Sequence, residues 1–179
     1  MKRNALLIFA LLISFCVYSQ DFKILKFKKL NKGDYQVTRL FIITDSVRNP
    51  EIDEFISEFI SKLEFEFVKN NLHFECIRKG ALYNNEKDSI LNSNPNGIMT
   101  FYPSGRFIRH RGLSQKPGLS FNIEMSYRIS DEMKYIRLFE ASIGVITDSF
   151  GNSGIPAAKN IFNRMVKAGF LPKEIEKID

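Results

Sequence analysis

Apolar residues at three- and four-residue spacing predict a helix over residues 50–70, the clearest element in the chain. Asn49 is a suitable N-cap, Pro50 suits the first helical position, and acidic residues follow in the first turn. The apolar stripe consists of Ile52, Phe55, Ile56, Phe59, Ile60, Leu63 and Phe67. A β-branched, apolar run at residues 37–44 and a second run at 72–78 predict a strand on either side of this helix. These elements together predict a βαβ unit.

The second half of the chain alternates in the manner of an antiparallel meander. The predicted strands lie at residues 98–102, 106–111, 119–129 and 135–146. We expect a tight turn at Pro103-Ser104-Gly105 and a loop at 112–118 between the first three strands. The polar stretch 79–97 reads as a long loop, with a short helical turn around residues 87–91 as an option. A closing helix at 155–168 is followed by Gly169.

The fold class that follows is α+β, a two-layer sandwich. A βαβ unit is followed by an antiparallel meander and a C-terminal helix, with both helices on one face of the sheet. The polar side chains of 119–129 are expected to face water. The predicted division of the chain is a signal peptide at 1–19, an N-terminal arm or edge strand at 20–36, a single domain at 37–172 and a C-terminal tail at 173–179.

The first residues have the pattern of a secretory signal peptide. Lys2 and Arg3 precede an uncharged apolar run at 5–17, which is shorter than the ~20 residues of a spanning helix. Ser19 is a small residue suited to a cleavage site. Cys16 is an alternative lipid-attachment residue, although Phe15 stands where lipoprotein processing requires a small residue. The protein is therefore expected to be exported, to the periplasm or the extracellular side, with association with the outer membrane as an alternative.

Composition narrows the functional classes only slightly. The formal net charge is +6, a mild excess that favours solubility and weak attraction to anions, and an exported protein of this charge is not expected to bind nucleic acid. Beyond the signal the only cysteine is Cys76, which excludes an intramolecular disulfide. The core must therefore hold the fold, and 17 phenylalanines without a tryptophan supply it.

The most basic local sequence lies around the predicted strand 106–111. In an extended chain one face carries Arg106 and His110, and the other carries Arg109 and Arg111. One interpretation is a sheet-edge strand whose charges prevent edge-to-edge pairing. The other is a site for an anionic partner such as a phosphate, a lipid headgroup or an envelope polysaccharide. The candidate residues of this site are Arg106, Arg109, His110, Arg111 and Lys116.

No catalytic set, metal site or cofactor motif is predicted. His73 and His110 lack further ligands at metal-binding spacing, and Cys76 has no base beside it in the sequence. An enzyme, most simply a hydrolase, would have to assemble its site from scattered carboxylates such as Asp45, Glu75 and Glu124. Two further candidates, in predicted loops, match an Asp-Ser-aliphatic pattern for O-glycan attachment: Ser46 and Ser89.

Two runs near the C-terminus carry a family resemblance. The first is Arg137-Leu138-Phe139-Glu140-Ala141-Ser142-Ile143, and the second extends from residue 157 to 171 and includes the pair Gly169-Phe170. With the order of elements over 37–172, they resemble small bacterial envelope proteins of the DUF4136 kind. In those proteins a strand with an aromatic residue and Glu-Ala is followed by a loop and a helix that ends in a glycine. The resemblance implies location in the cell envelope and the same fold, and it implies no activity.

The function expected from the sequence is that of an exported, non-enzymatic binding or assembly module. Its basic strand would contact an anionic envelope component or a protein partner. The alternatives are a lipid-anchored structural subunit of an envelope complex and a hydrolase built from the scattered carboxylates.

Overall fold

The computed structural model describes residues 22–79, 86–111, 114–129, 134–146, 150–151 and 153–172. The helices within these ranges are α1 (Pro50–Lys69), α2 (Glu86–Ser93) and α3 (Gly154–Lys167). The strands are β1 (Phe22–Lys29), β2 (Arg39–Asp45), β3 (His73–Lys79), β4 (Gly97–Arg111), β5 (Ser114–Arg128) and β6 (Tyr135–Ile146). The predicted signal peptide with Cys16, and the tail at 173–179, lie outside the described residues.

The strands form one mixed sheet in the order β1-β6-β5-β4-β2-β3. Strand β2 is parallel to β3, as their connection through α1 requires, and it is also parallel to β4. The other pairs are antiparallel. The predicted α+β sandwich is confirmed. In the segment 20–36, for which an arm and an edge strand were alternatives, β1 pairs with β6 at one edge of the sheet.

Helix α1 begins and ends where its periodicity and caps predict. The Asn49 side chain accepts hydrogen bonds from the backbone N–H groups of Glu51 and Ile52, at 3.0 and 3.2 Å. This side chain satisfies donors that have no partner within the helix. Most of the apolar stripe is buried against the sheet and α3, so packing adds to the local capping signal.

Phenylalanine rings join α1 to the sheet. The Phe59 and Phe101 rings stack with centroids 4.3 Å apart, and the Phe55 and Phe121 centroids are 4.6 Å apart. Phe150 closes the group, 6.0 Å from Phe55. Each ring contributes a large apolar surface, and offset and tilted pairs gain further from ring geometry. This cluster lies at the centre of a core that includes the buried residues of α1 and α3.

The predicted tight turn at Pro103-Ser104-Gly105 is wrong. Strand β4 runs continuously through it, and β5 pairs with β4 on both sides, with a register shift between Pro103 and Gly105. The extra residue forms a β-bulge, a common use of glycine in strands. The predicted loop at 112–118 is also too long, because β5 begins at Ser114. Two of the four predicted strands are therefore halves of one long strand.

Part of the predicted long loop is a helix. Residues 86–93 form α2, which contacts β3, and the guanidinium of Arg39 donates to the carbonyl of Ser93 at 2.5 Å. Ser89, predicted to lie in a loop, is therefore helical. The other proposed acceptor, Ser46, is exposed directly after β2.

Helix α3 meets α1 at a glycine. A Cβ atom on Gly154 would lie 2.5 Å from the Cβ of Glu58 and 2.7 Å from the carbonyl oxygen of Phe55. The Gly154 N–H donates to the Glu58 carboxylate at 3.3 Å. The absence of a side chain at Gly154 thus allows α1 and α3 to approach closely. The Glu58 carboxylate accepts a hydrogen bond from a backbone N–H group at the start of α3 that has no partner within the helix.

We expect Gly154→Ala to destabilise the protein by about 1–3 kcal/mol, because the new methyl overlaps backbone that has no room to move. Gly105→Ala is the matched control, since nothing lies within 4 Å of its Cβ position, and it should cause no loss. Urea unfolding followed by circular dichroism measures both. Equal effects of the two substitutions would contradict the close approach at Gly154.

The carboxyl of Glu58 gives a pH-dependent prediction. Burial raises its pKa above the usual 4.5; the Gly154 N–H partly opposes the shift and Glu54 adds to it. A raised pKa in the folded state favours the protonated form, so the stability contributed by Glu58 falls as pH rises from about 4.5 through the folded pKa. Glu58→Gln keeps the oxygen acceptor and removes the charge. Its unfolding free energy relative to the natural protein should therefore increase between about pH 4 and pH 7, and a pH-independent difference would rule out this origin.

Candidate functional site

The basic residues predicted from sequence lie on a two-stranded extension of the sheet. Strand β2 pairs with β4 only as far as Phe101, and β6 pairs with β5 only from Gly118. Beyond those limits, residues 108–111 pair only with residues 114–117. We call residues 106–111 and 114–117 together the ribbon, and its first two residues pair with Leu119 and Gly118 at the margin of the full sheet. Within the described part of the chain, the outer edge of the ribbon along β4 has no strand partner.

The ribbon divides the predicted cluster between two faces. Arg106 is the register partner of Leu119, on the side of the sheet that faces the helices. Phe107 and Arg109 point to the opposite, open face, and Arg109 lies across from Lys116. Arg111 is the last residue of β4, and its side chain lies outside the described set. The five candidates therefore do not form one patch.

Phe107 lies over two glycines on the open face. A Cβ atom at Gly118 would be 2.3 Å from the Cζ of Phe107, and one at Gly144 would be 3.0 Å from its Cε1. The ring thus occupies the space that side chains on β5 and β6 would otherwise fill. On β1, Lys23 is the register partner of Gly144, and the Leu25 side chain reaches the same spot, 3.1 Å from the Gly144 Cβ position.

The missing side chains leave a depression of about 340 Å³ between β1 and the ribbon, which we call the open-face pocket. Its walls combine the start of β1, the end of β6 and the middle of the ribbon. The lining residues are Phe22, Lys23, Leu25, Phe107, Ile108, Arg109, His110, Gly144 and Ile146.

The polar lining of this pocket is entirely basic. Lys23, Arg109 and His110 have no hydrogen-bond or ion-pair partner among the described residues, and none of the described lining residues is acidic. Cations without a carboxylate partner keep their full capacity to donate to an anion. Arg109 thus shares the open face of one pocket with Lys23, a lysine that the sequence did not identify, and His110, whose side chain alternates to the other face, borders that pocket.

A second cavity lies on the helix side, between the ribbon and the start of α1. It measures about 520 Å³ and is lined by Asn49, Glu51, Ile52, Arg106, Phe107, Ile108, Pro117, Gly118, Leu119 and Phe150. Arg106 therefore faces a mostly apolar space that also contains the carboxylate of Glu51. This mixture of charges suits a single anion less well than the open-face pocket does.

The scattered carboxylates do not come together. Glu75 on β3 and Glu124 on β5 are three strand spacings apart, about 14 Å, and Asp45 lies four residues further along β2 than the register partner of Glu75. Glu124 instead lies beside Glu140, whose pKa is lowered by a 2.5 Å hydrogen bond from Lys26. The arrangement keeps Glu140 ionised and supplies no proton donor.

The remaining candidates are structural or lie outside the described ranges. His73 is exposed and contacts Glu75 at 2.6 Å. Across the residues that the structure describes, no group of three His, Cys, Asp or Glu side chains could hold a metal ion. The described helices include none that is long and apolar enough to cross a membrane.

No protein-family model matches the chain, and no curated protein matches it in sequence. Several solved structures match part of it, among them the three that follow. A PelC dodecamer from Paraburkholderia phytofirmans is 9% identical with a TM-score of 0.40, over 75% of this chain and 94% of that one. A single-residue variant of that PelC dodecamer is 10% identical with a TM-score of 0.43, over 76% and 93%. A neuraminyllactose-binding hemagglutinin homolog from Helicobacter pylori is 9% identical with a TM-score of 0.38, over 75% and 89%. All three TM-scores are below 0.5, and no argument is based on them.

Two features of the sequence relate to the pocket, its glycines and Lys23, but neither predicts a specific contact. Gly144 interrupts the predicted strand 135–146, and an isolated strand glycine marks a bulge or a close approach, whereas Gly118 ends the predicted loop 112–118. Lys23 lies in the segment whose structure was left open. Its place in the pocket depends on the pairing of β1 with β6, which joins residues more than a hundred positions apart.

Cys76 is a poor nucleophile in this environment. Although part of the residue is exposed, burial of the thiol raises its pKa to about 11, with a smaller opposing effect of Arg78 and a smaller raising effect of Glu64. The thiol is therefore almost fully protonated at neutral pH, and the thiolate is the reactive form.

Alkylation by iodoacetamide tests this. At pH 7.5 Cys76 should react at least about 100-fold more slowly than glutathione, with a rate that rises about tenfold per pH unit up to pH 10. The Cys76→Ser variant measures the background from Cys16, and urea-unfolded protein should recover the ordinary rate. A rate equal to that of glutathione in the folded protein would show that the thiol is not desolvated.

Proposed function

We propose that the protein is an exported, non-enzymatic binding module that takes an anionic partner at the open-face pocket. The observation that carries the proposal is the pair of basic side chains on the open face, Lys23 and Arg109, which line one concave site bordered by His110, without a carboxylate among its described lining residues. An anion placed there would exchange water for charge-assisted hydrogen bonds. Partners that fit this chemistry are a phosphate, a lipid headgroup, an acidic envelope polysaccharide or an acidic protein segment.

The location is part of the same proposal. The charged start, apolar run and small residue of 1–19 support export to the periplasm or the extracellular side. The resemblance of the last strand and helix to DUF4136 envelope proteins agrees with this location. Attachment to the outer membrane through Cys16 would make the protein a lipid-anchored subunit of an envelope complex. The pocket would serve that role equally well.

The unpaired edge of β4 favours a second function for part of the basic cluster. Ser104 and Arg106 lie on the part of β4 beyond Phe101, where β4 pairs with β5 on one side. On its other side, the backbone N–H and C=O groups of this stretch have no strand partner among the described residues. Charges on such an edge oppose pairing with a second sheet. Under this alternative the arginines protect the edge, and no ligand is involved.

Chromatography on phosphocellulose, a matrix of immobilised phosphate groups, distinguishes the two functions. Four variants each remove one positive charge: Lys23→Gln and Arg109→Gln in the pocket, and Lys28→Gln and Arg106→Gln on the same strands outside it. The pocket variants should elute at clearly lower salt than the other two, because local donors add to the long-range attraction. Equal shifts for all four would mean that only the net charge matters, and would contradict a site at the pocket.

A further inference from the structure

The open-face pocket has apolar lining residues at its floor in addition to the basic residues at its rim. Ile146 is 4% exposed and forms a floor on the open face, and the Phe107 ring lies beside it over Gly144. At the rim, Leu25 is 48% exposed, which is high for a large aliphatic side chain. This apolar surface would not contribute to binding an inorganic ion or a polar sugar, because such ligands gain no binding free energy from burying it.

The apolar surface is not an extension of the main core. Phe22 belongs to the core, whereas Leu25, Ile108 and Ile146 are not part of that cluster. Leu25 and Phe107 come from strands separated by β6 and β5, yet their side chains meet over Gly144 in the same depression. Apolar side chains placed in this way around a concave space, with a few convergent polar groups, are typical of ligand pockets.

The size of the pocket limits what can occupy it. A volume of 340 Å³ equals the share of about eleven water molecules in the liquid. One alkyl chain of about eight to ten carbons, or one bicyclic aromatic group, would fill it. The two long chains of a bilayer phospholipid would not fit, and the pocket is too concave for the flat surface of a membrane to reach its floor.

From these features we infer that the ligand is a single-chain anionic amphiphile, with its phosphate, sulfate or carboxylate head on Lys23 and Arg109 and its alkyl chain along Phe107 and the floor. The inference rests on the proposed function and adds the ligand class. Among the residues that the structure describes, the charged or titratable ones that line the pocket are Lys23 on β1 and Arg109 and His110 on the ribbon, all basic. Glu51 lines only the helix-side cavity, across the ribbon.

Isothermal titration with a series of monoalkyl phosphates, each below its aggregation concentration, tests the inference on the full-length protein. From butyl to octyl phosphate the affinity should rise about fourfold for each added methylene. It should then level off once the pocket is full, near decyl phosphate. Decyltrimethylammonium, with the same chain and the opposite charge, should bind at least about tenfold more weakly than decyl phosphate.

Variants separate the two ends of the ligand. Arg109→Gln should weaken decyl phosphate about tenfold, and Arg106→Gln, three residues away on the other face, should leave it within about twofold. Leu25→Ser should weaken decyl phosphate and leave inorganic phosphate unchanged. Its control is Val68→Ser, because Val68 on α1 is also an exposed aliphatic residue, at 61% against 48% for Leu25. Circular dichroism of each variant confirms that it is folded.

Three results would overturn the inference: affinity independent of chain length, equal binding of the cationic amphiphile, or binding to vesicles of anionic phospholipid that exceeds binding to the monomers. The first of these leaves the proposed function intact if inorganic phosphate still binds and Arg109→Gln still weakens it. Loss of all anion binding, including inorganic phosphate, would instead overturn the proposed function itself. The two failures are therefore distinguishable in one set of titrations.

Discussion

The stacking of α1 on the sheet through phenylalanine rings is the interaction on which the other parts of this structure depend. Phe55 and Phe59 meet Phe101 and Phe121 at centroid distances between 4.3 and 6.2 Å, and Cys76, the only cysteine among the described residues, forms no disulfide. These contacts fix the face of the sheet that is buried. Because strand side chains alternate, they also fix which residues of β4 and β5 reach the open face, and therefore where Phe107 and Arg109 point.

Elements with a local cause could be predicted from sequence. Helix α1 has a cap, a suitable proline and a continuous apolar stripe, so its bounds followed from residues close in the chain. The segment Pro103-Ser104-Gly105 has equally strong local signals for a turn, but β5 pairs on both sides of it and extends the strand through a bulge. Pairing of β4 with β5 is a tertiary interaction that outweighs the local turn preference.

The candidate site shows the same division. Alternation correctly separated Arg106 from Arg109, since that depends only on extended backbone. Alternation did not predict the open-face pocket, because that pocket depends on two glycines in β5 and β6 that leave room for the Phe107 ring. Lys23 could not have been assigned to the site, since the register of β1 against β6 is set by residues distant in the chain.

The pairing of β1 with β6 has a consequence for the order of events during synthesis. The first described strand finds its partner only at positions 139–145, and Lys29 bonds to the carbonyl of Ala168 at the end of α3. A ribosome-bound chain therefore cannot close the sheet, or complete the open-face pocket, until nearly all of it has been made. Such high contact order slows folding. Under the proposed export, this delay would keep the precursor unfolded and able to pass through a translocation channel.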